Sequence, residues 1–574
     1  MRRKLCMVLL CVLFGTAWAQ QATPELATGH TFKPAVKAAR FMAVTANPHA
    51  TDAAVSILRA GGSATDAAIA AALVLNVVEP QSSGIGGGGF LLHYARDSGL
   101  RTAYDGRERA PAAADEALFL RADGEPLGFF DAVVGGRSIG VPGLLKMLEL
   151  AHGDSGRLPW RRLFEPAIRL AEAGFPVSER LHALLAADRF LRQDVAARRL
   201  FYTASGDALP VGGLLRNPSL ARVLRAVADG GADVFYRGEI AKSIVDGVQA
   251  AANPGVLSLD DLANYEARRL PVLCGEYQGF EVCGMPPPSA GGGTVLEILG
   301  LLKRFRMQER APGSPFAMHL FAESSRVAFA DRDAWYGDPT TMTVTPADLL
   351  APDYLQQRAQ LINPAQAADG AVEPGLPQEA RSVHARSPEL PSTSHLSIVD
   401  AQGNAVAMTA SIENAFGSRL LVSGFLLNNQ LTDFSFRPRN ERGLHPNRAG
   451  AGRQPRSSMA PTLVFDAQGD LYAALGSPGG SHIINYVAGT LVGLIDWGMP
   501  PDAVIALPHV SNRNGTTEVE DTPEGAALAE VLVGVFGHQV KLRDLTSGLH
   551  VIVRDGAGWL GAADSRREGT VGGE

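Results

Sequence analysis

The segment 391-PSTSH-395 carries hydroxyl side chains directly before a stretch in which apolar and polar residues alternate. A threonine hydroxyl becomes an effective nucleophile when a base lies next to it, and the free α-amine of a chain-initial threonine is one such base. Thr393 can use this chemistry only after the Ser392–Thr393 peptide bond is cut. On this segment alone, a polar loop that caps a strand is the favoured interpretation.

A β-hairpin is predicted directly after Thr393. The stretches 394–400 and 404–411 alternate as strands do, and a Gln-Gly pair between them favours a tight turn. The resulting register places Thr393 beside the segment from Ser411 to Glu413, about 5 Å away, which is one strand spacing. We therefore expect a hydroxyl and a carboxylate close to Thr393.

Eight segments, spread over nearly the whole chain, resemble the motifs of the γ-glutamyltranspeptidase family and follow that family's order. The segments are 79-EPQSSGIGGGGF-90, 105-DGRERAP-111, 285-MPPPSAGGG-293, 393-TSHLSIVDAQGNAVAMT-409, 426-LLNNQLTDFS-435, 453-RQPRSSMAPTLVFD-466, 476-GSPGGSHI-483 and 560-LGAADSRREG-569. The resemblance reverses the interpretation of PSTSH as a mere cap. It implies an α+β fold of the N-terminal nucleophile hydrolase type, a four-layer αββα sandwich.

The resemblance also implies a precursor that cuts itself between Ser392 and Thr393. The products would be a large chain, residues 20–392, with a flexible C-terminal tail, and a small, sheet-rich chain, residues 393–574. The two chains would stay together as a heterodimer. Thr393 would then be both the nucleophile and, through its new α-amine, the base.

Site residues are carried over by position. Arg107 would pair with the α-carboxylate of a γ-glutamyl group, because a guanidinium fork suits a carboxylate, and Ser457 and Ser458 would add hydrogen bonds to it. Asp433, with Gln430 beside it, would bind the α-ammonium.

The oxyanion of the tetrahedral intermediate would be held by backbone N–H groups of Gly479 and Gly480. Two positions depart from the family, which commonly has Thr and Asn where this chain has Ser411 and Glu413. Ser411 keeps the hydroxyl, and Glu413 still accepts hydrogen bonds from an ammonium group. The segment 434–456 is shorter than in members with a lid loop and lacks tyrosine, which predicts a partial or absent lid.

The implied activity is hydrolysis or transfer of the γ-glutamyl group of glutathione and related compounds, with water, amino acids or peptides as acceptors. One alternative is a cephalosporin (glutaryl) acylase of the same superfamily, whose substrate lacks the α-amino group. Asp433 and Glu413 disfavour it, because an unpaired buried carboxylate is destabilising. Another is a non-catalytic exported binding protein, which would need Arg107 and Asp433 but not Thr393.

The first 19 residues predict export. Three basic residues precede an apolar run from Leu5 to Phe14, and Ala17-Trp18-Ala19 forms a small-residue cleavage site. The run is too short to span a bilayer. We therefore expect a periplasmic or secreted protein with no membrane span after signal removal.

Several partners and cofactors are disfavoured. The net charge of −7 argues against nucleic acid. The histidines and cysteines lack metal-ligand spacing, so no metal is expected. Gly84, Gly86 and Gly89 match a dinucleotide-binding pattern, but a predicted helix precedes them and a strand follows, which is the reverse of that motif, and no cofactor is predicted.

Two cysteines remain after signal removal, Cys274 and Cys283. A hairpin turn at Gln278-Gly279 would set them opposite each other at a separation that suits a disulfide. Two reduced, buried cysteines are an equally good interpretation.

The remaining patterns outline the organisation of the chain. We expect helices on both sides of Gly61-Gly62, with a cap at Thr65-Asp66, a turn-rich joint at 286–294 and a loss of periodicity from 363 to 392. Helices are predicted in 50–80, 215–270 and 314–336, and strands at 394–400, 404–411, 424–429, 461–466 and 471–476.

Overall fold

A computed structural model describes residues 27–29, 32–375, 392–440 and 443–574. The predicted signal peptide and most of the aperiodic stretch before Ser392 lie outside these residues. Residues 363–375, which are described, contain neither helix nor strand.

Two antiparallel seven-stranded sheets form the centre of the molecule. The first, called the hairpin sheet, has the strand order Thr570–Gly573, Met42–Thr45, Ser394–Val399, Ala405–Ser411, Gly88–Ala95, Leu100–Gly106 and Arg268–Pro271. The second, called the cysteine sheet because its last two strands contain Cys283 and Cys274, has the order Val36–Ala38, Gly558–Ala563, His550–Asp555, Leu471–Gly476, Thr462–Phe465, Phe280–Gly284 and Leu273–Tyr277. Shorter strands are Phe175–Pro176, Leu214–Leu215, Leu421–Val422, Phe425–Leu426, Arg439–Asn440, Gly443–Leu444, Val510–Asn512, Thr517–Glu520 and Val540–Arg543.

Helices cover the outer face of each sheet. Their bounds are Pro48–Arg59, Ala64–Val78, Phe129–Val133, Leu144–Ser155, Trp160–Ala173, Glu179–Ala187, Val195–Phe201, Pro218–Gly230, Asp233–Tyr236, Gly238–Gln249, Leu259–Ala263, Gly291–Leu302, Pro315–Trp335, Pro346–Leu349, Pro352–Ala359, Ile483–Ile495, Pro501–Ile505 and Pro523–Gly534. Ala64–Val78 lies on the hairpin sheet, and Gly291–Leu302 and Ile483–Ile495 lie on the cysteine sheet. Because the two sheets also pack face to face, the molecule is a four-layer αββα sandwich, as predicted.

Alternation along the central hairpin explains this layering. Leu396 and Ile398 belong to the core shared with the helices on one side, whereas Val399 and Ala407 belong to the core between the sheets. Both strands are buried on both faces. The sheet therefore has no solvent-facing side at this hairpin, and the residues at its ends are held rigidly.

Both sheets contain strands from before and after residue 392. Met42–Thr45 pairs with Ser394–Val399, and Phe280–Gly284 pairs with Thr462–Phe465. A chain cut before Thr393 would therefore consist of two pieces that share both hydrophobic cores.

Local predictions were mostly right, with four corrections. The helix after Gly62 is capped by Ser63, whose side chain and that of Asp66 form a reciprocal capping box, not by Thr65. The joint at 286–294 runs directly into the helix Gly291–Leu302.

The other two corrections concern strands. The region predicted as helical up to residue 270 ends in the strand Arg268–Pro271. The strand expected at 424–429 is only Phe425–Leu426. It stops because the Asn428 side chain bonds the backbone carbonyls of Gly86 and Gly140 (2.8 and 2.9 Å), which draws the chain into a loop.

The cysteine hairpin has the predicted register. Cys274 lies opposite Cys283, and the two form a disulfide with a Cα–Cα distance of 4.1 Å. The reduced alternative does not describe this structure. Within the described part of the chain, no helix is both long and apolar enough to cross a bilayer.

Candidate active site

Thr393 directly precedes the central strand Ser394–Val399 and is only 4% exposed. Ser394 pairs with Ala410, which puts Thr393 opposite Ser411, as the hairpin predicts. The loop between the strands has five residues instead of two, so the register differs by one residue from that of a tight turn. The Thr393 Oγ1 hydroxyl donates to Ser411 Oγ at 3.2 Å.

Ser411 connects the Thr393 side chain to the peptide bond that precedes this residue. Its Oγ donates to the backbone carbonyl of Ser392 at 2.9 Å and accepts from the backbone N–H of Glu413 at 2.8 Å. The Ser392 side chain in turn donates to the Gln81 carbonyl at 2.7 Å. The Ser411 hydroxyl thus contacts both the Thr393 hydroxyl and the carbonyl of the Ser392–Thr393 bond.

Arg107 directly follows the strand Leu100–Gly106, and its side chain is fully buried. Its Nη2 donates to Asp433 Oδ2 at 2.5 Å and to the Arg456 carbonyl at 2.9 Å. Its Nε donates to the Pro455 carbonyl at 3.1 Å. Nη1 has no hydrogen-bond partner among the described residues, so this nitrogen has a donor available for a ligand.

Asp433 and Gln430 lie in one short 3₁₀ turn, Gln430–Asp433. Gln430 Nε2 donates to Asp433 Oδ2 at 2.8 Å, the same oxygen that Arg107 contacts. Arg107 and Asp433, which were predicted to bind opposite ends of an amino acid, therefore contact each other directly.

Glu413 has a left-handed backbone conformation, with φ 76°. Its carboxylate accepts a hydrogen bond from the Asn429 side-chain amide. Asn429 also accepts from the Asn414 backbone N–H at 2.9 Å, so one amide fixes the turn that follows Ser411. Sequence reasoning did not single out Asn429, although it belongs to the NNQLTDF motif.

Ser457 and Ser458 are held in place by residues from before residue 392. Ser457 exchanges backbone hydrogen bonds with residues 288–290, which gives the turn-rich joint a structural role. The Ser458 Oγ accepts from Arg332 Nη2 at 2.5 Å. Arg332 lies in the long helix Pro315–Trp335 and was not predicted, because nothing in a buried helical pattern identifies one arginine as site-directed.

Gly479 and Gly480 both have left-handed φ angles, 139° and 58°. A Cβ at Gly479 would lie 2.6 Å from the Tyr486 ring, so a side chain is strongly disfavoured there. Gly480 opens the short turn that leads into the helix Ile483–Ile495. The positive end of that helix dipole points towards this turn and favours nearby negative charge.

One cleft brings nearly all these residues together. Its lining residues are Arg107, Thr393, Ser411, Glu413, Gln430, Asp433, Ser457, Ser458, Met459, Gly480 and Ile483. Of the residues predicted for catalysis or substrate binding, only Gly479 is absent from this lining, and Ser392, the predicted cleavage-site residue before Thr393, is absent as well. Met459 and Ile483 were not predicted.

Burial shifts the pKa values of several ionisable groups around the cleft. Glu108 is fully buried, and desolvation raises its pKa to about 8 even though Arg107 opposes the shift. In the strand that follows Thr393, burial lowers the pKa of His395 well below its ordinary value, and in the facing sheet burial lowers the pKa of His550 to about 3. The two histidines are therefore neutral near pH 7.

Two facing sheets between helical layers, with a threonine hydroxyl in a cleft at the start of a central strand, define the class of N-terminal nucleophile hydrolases. The chain matches the model of one family in this class, described as gamma-glutamyltranspeptidase, over residues 50–573. It belongs to the γ-glutamyltranspeptidase family.

Curated relatives include the glutathione hydrolase proenzyme of Escherichia coli (strain K12), which is 35% identical over 99% of this chain and 97% of that protein. The glutathione hydrolase proenzyme of Bacillus subtilis (strain 168) is 34% identical over 92% and 91%. The acylase ACY 1 proenzyme of Pseudomonas sp. (strain SE83) is 32% identical over 95% and 96%.

Similar solved structures also include both acylases and γ-glutamyltranspeptidases. A cephalosporin acylase from Bacillus halodurans has a TM-score of 0.84 at 27% identity and covers 96% of this chain, with 99% of its own chain matched. A gamma-glutamyltranspeptidase chain from Pseudomonas nitroreducens, complexed with L-DON, has a TM-score of 0.53 at 33% identity and covers 57% of this chain and 97% of its own. The protein is thus an enzyme of a hydrolase and transferase family that has acylase relatives.

Proposed function

We propose that this protein is an exported γ-glutamyl hydrolase and transferase that acts on glutathione and related γ-glutamyl compounds through a Thr393 acyl-enzyme. The single observation that carries the proposal is the cleft in which Thr393 and Ser411 face Arg107 and Asp433. Export rests on residues 1–19 alone.

Maturation would begin with attack of the Thr393 Oγ1 on the carbonyl carbon of Ser392. The Ser411 hydroxyl, 2.9 Å from that carbonyl oxygen, would stabilise the negative charge that develops on it. The C–N bond then breaks, the nitrogen takes up a proton, and an ester joins the two residues. Water hydrolyses the ester and leaves the Ser392 carboxylate and a Thr393 with free hydroxyl and amine. The name proenzyme, which the curated relatives carry, supports such processing.

In turnover, the α-amine of Thr393 would accept the hydroxyl proton as Oγ1 attacks the γ-carbonyl carbon of the substrate. The tetrahedral oxyanion would lie against the backbone of Gly479 and Gly480. The protonated amine would then give its proton to the leaving nitrogen as the C–N bond breaks. Water or an amino group, deprotonated by the same amine, releases the γ-glutamyl group.

The recognition groups suit an α-amino acid. The Arg107 Nη1 and the hydroxyls of Ser457 and Ser458 offer donors to a carboxylate, whereas Asp433 and Glu413 offer acceptors to an ammonium group. All five line the same cleft as Thr393.

A glutaryl acylase is the second candidate, and one contact favours it. Because Arg107 Nη2 already binds Asp433 at 2.5 Å, Asp433 is compensated without a substrate ammonium group. The likeness to acylases in sequence and structure points the same way. Membership of an enzyme family disfavours the non-catalytic binding role.

The test is to purify the full-length protein, determine the N-termini of its chains, and compare hydrolysis of γ-glutamyl and glutaryl p-nitroanilides. We expect a small chain that begins at Thr393 and a preference for the γ-glutamyl substrate. Thr393→Ala should leave one uncut, inactive chain, and Thr393→Ser, which keeps a hydroxyl, should still be cut. A small chain with another first residue contradicts the mechanism, and a preference for the glutaryl substrate selects the acylase.

A further inference from the structure

Residues 479–482, called the oxyanion turn, are contacted by a three-stranded sheet that is separate from the two seven-stranded sheets. The strands of this small sheet are Val510–Asn512, Thr517–Glu520 and Val540–Arg543. Nothing in the substrate contacts described above involves this sheet. We propose that Arg513 and Glu518 are positioning residues, which hold the oxyanion turn in the geometry that acyl transfer requires.

The small sheet contacts two successive residues of the turn. Arg513 directly follows the first strand, and its Nη1 donates to Ser481 Oγ at 2.8 Å. Glu518 lies in the second strand, and its Oε2 is 2.8 Å from His482 Nε2. Ser481 and His482 complete the 3₁₀ turn that begins at Gly480. Both residues after Gly480 are therefore bound by side chains of the small sheet.

One buried carboxylate joins these contacts. Glu518 Oε2 also accepts from Arg513 Nη2 at 2.9 Å, and Oε1 forms an ion pair with Arg543 Nε, from the third strand, at 2.6 Å. Burial alone would raise the pKa of Glu518, but the hydrogen bond from His482 and the charges of the two arginines outweigh it and lower this pKa. An ionised carboxylate only accepts hydrogen bonds, so His482 Nε2 is the donor.

The oxyanion turn needs support from outside because its glycines cannot supply it. Gly479 and Gly480 have φ angles of 139° and 58°, and glycine loses more conformational freedom on folding than any other residue. On the side before the glycines, Ser477 Oγ accepts from the Gly548 backbone N–H at 3.1 Å. On the side after them, Ser481 and His482 make the corresponding contacts with the small sheet.

The demands of the reaction make this support a matter of rate. A donor to an oxyanion has to lie within about 2.7 to 3.1 Å of the charge. A displacement of about 1 Å at a reacting centre can slow the reaction about 100-fold. Neither Arg513 nor Glu518 lines the cleft, so each would act on the rate through the turn and not through the substrate.

Precursor cutting provides the contrast. In the proposed mechanism the developing charge on the Ser392 carbonyl is stabilised by Ser411, whose Oγ lies 2.9 Å from that oxygen, and not by the oxyanion turn. Loss of the contacts from the small sheet should therefore slow turnover and leave cutting unchanged. A general weakening of the fold would slow both.

The inference rests on the proposed function, because it requires an oxyanion at Gly479 and Gly480. The experiment measures acylation of cut enzyme by γ-glutamyl p-nitroanilide in single turnovers with enzyme in excess, so that an inactive fraction does not alter the rate constant. We expect Arg513→Met to slow acylation by about tenfold or more, a part of the effect of losing one oxyanion donor. The steady-state KM should stay at the wild-type value, because the contact acts in the transition state.

Two further arginine variants define the cause. Arg513→Lys keeps a cation beside Glu518 and should recover part of the lost rate. Arg269→Met is the matched control, because Arg269 is also a partly exposed arginine bound to a carboxylate, that of Asp154, at 2.5 and 2.7 Å. It lies on the edge strand of the hairpin sheet, and its loss should leave acylation at the wild-type rate.

Ser481→Ala covers the case in which Arg513→Met does not fold. It removes only the hydroxyl that Arg513 contacts, and it should slow acylation without a change in KM or in cutting. Where both variants fold, the double variant should be no slower than Arg513→Met alone, because the two residues act through one contact. Fully additive losses would mean that they act separately, which overturns the proposal.

Two other results overturn the proposal. One is wild-type acylation in both Arg513→Met and Ser481→Ala. The other is equal slowing of cutting and acylation, which would show that the small sheet supports only the fold. A wild type that is not cut at Thr393 removes the proposed function as well, whereas a cut, active wild type whose variants acylate at the same rate removes this inference alone.

Discussion

The two sides of the cleft are built in different ways. The side with the proposed nucleophile, called the nucleophile side, consists of Thr393 and Ser411 and lies at the ends of two paired strands in the middle of a sheet. The recognition side, Arg107, Asp433 and Ser458, lies in loops and a single 3₁₀ turn. Backbone pairing places the first group, whereas buried ionic and side-chain hydrogen bonds place the second.

Because the two sides of the cleft are built differently, they can perform different tasks. The nucleophile side uses two uncharged hydroxyls: Ser411 donates to the Ser392 carbonyl, and Thr393 donates to Ser411. In our proposal this side can therefore process the precursor without a substrate. The recognition side carries a buried cation and a buried anion that contact each other and is needed only when a substrate binds. Substitutions on the two sides should therefore divide into effects on cutting and effects on binding.

The largest effect should come from Ser411→Ala. This change removes the donor on the Ser392 carbonyl, and removal of one such donor typically slows acyl transfer by about 100-fold or more. We expect slow conversion of the precursor, measured by the appearance of the small chain over time. Ser411→Thr is the control, since it keeps the hydroxyl at a strand position where a branched side chain is well tolerated. Normal cutting in Ser411→Ala would contradict the division between the two sides.

Asp433→Asn should have the next largest effect, on the recognition side alone. The change is nearly isosteric but removes the charge that would hold a substrate ammonium group, so we expect KM for γ-glutamyl p-nitroanilide to rise by about tenfold or more, the size of one charge-assisted hydrogen bond. The KM for glutaryl p-nitroanilide should not rise.

Loss of the Arg107–Asp433 pair also leaves a buried cation less compensated, which lowers the free energy of unfolding. The extent of precursor cutting and the melting temperature are therefore measured alongside. If both substrates lose affinity equally, Asp433 acts through Arg107 and not through the ammonium group.

The same division explains what the sequence could predict. The position of Thr393 beside Ser411 follows from period-two alternation and a Gly-containing turn, and it came out within one residue although the loop is longer than a tight turn. No periodic pattern leads to Arg107 or Asp433, and these positions came from motif resemblance.

Some residues that contact the site could not be identified from the sequence. Arg332 and Arg567 reach the site across long sequence separations, and such pairings have no local signature. The interleaving of both parts of the chain in both sheets was missed for the same reason, because a change of composition at residue 392 does not reveal which strands pair.

The smallest effect should come from Glu108, which lies behind Arg107. Its carboxylate Oε2 is 3.8 Å from Arg107 Nη1, and a Cβ at Gly88 would lie 2.6 Å from the same oxygen. Neither carboxylate oxygen has a hydrogen-bond partner among the residues described. The group is therefore packed as an uncharged side chain, consistent with a pKa raised to about 8 by burial.

A raised carboxyl pKa sets the sign of a stability effect. Between the unfolded value near 4.5 and the folded value of about 8, the folded protein holds a proton that the unfolded chain has released. The free energy of unfolding therefore falls as pH rises through this window, and the contribution of the protonated group is lost by about pH 8. Glu108→Gln cannot ionise and should not show this loss.

The measurement is the melting temperature from pH 5 to pH 8.5 in a Thr393→Ala background, so that both proteins remain single, uncut chains. We expect the stability of Glu108→Gln relative to Glu108 to rise steadily with pH, and a difference that does not change with pH would mean that the carboxylate is compensated in the folded protein.

In an otherwise wild-type background, Glu108→Gln should leave the rate of precursor cutting unchanged, because Glu108 lies on the recognition side and Ser411 alone contacts the Ser392 carbonyl among the contacts described. A change in cutting would show that the two sides are coupled through Arg107, and that the separation between strand-built and loop-built halves is not complete.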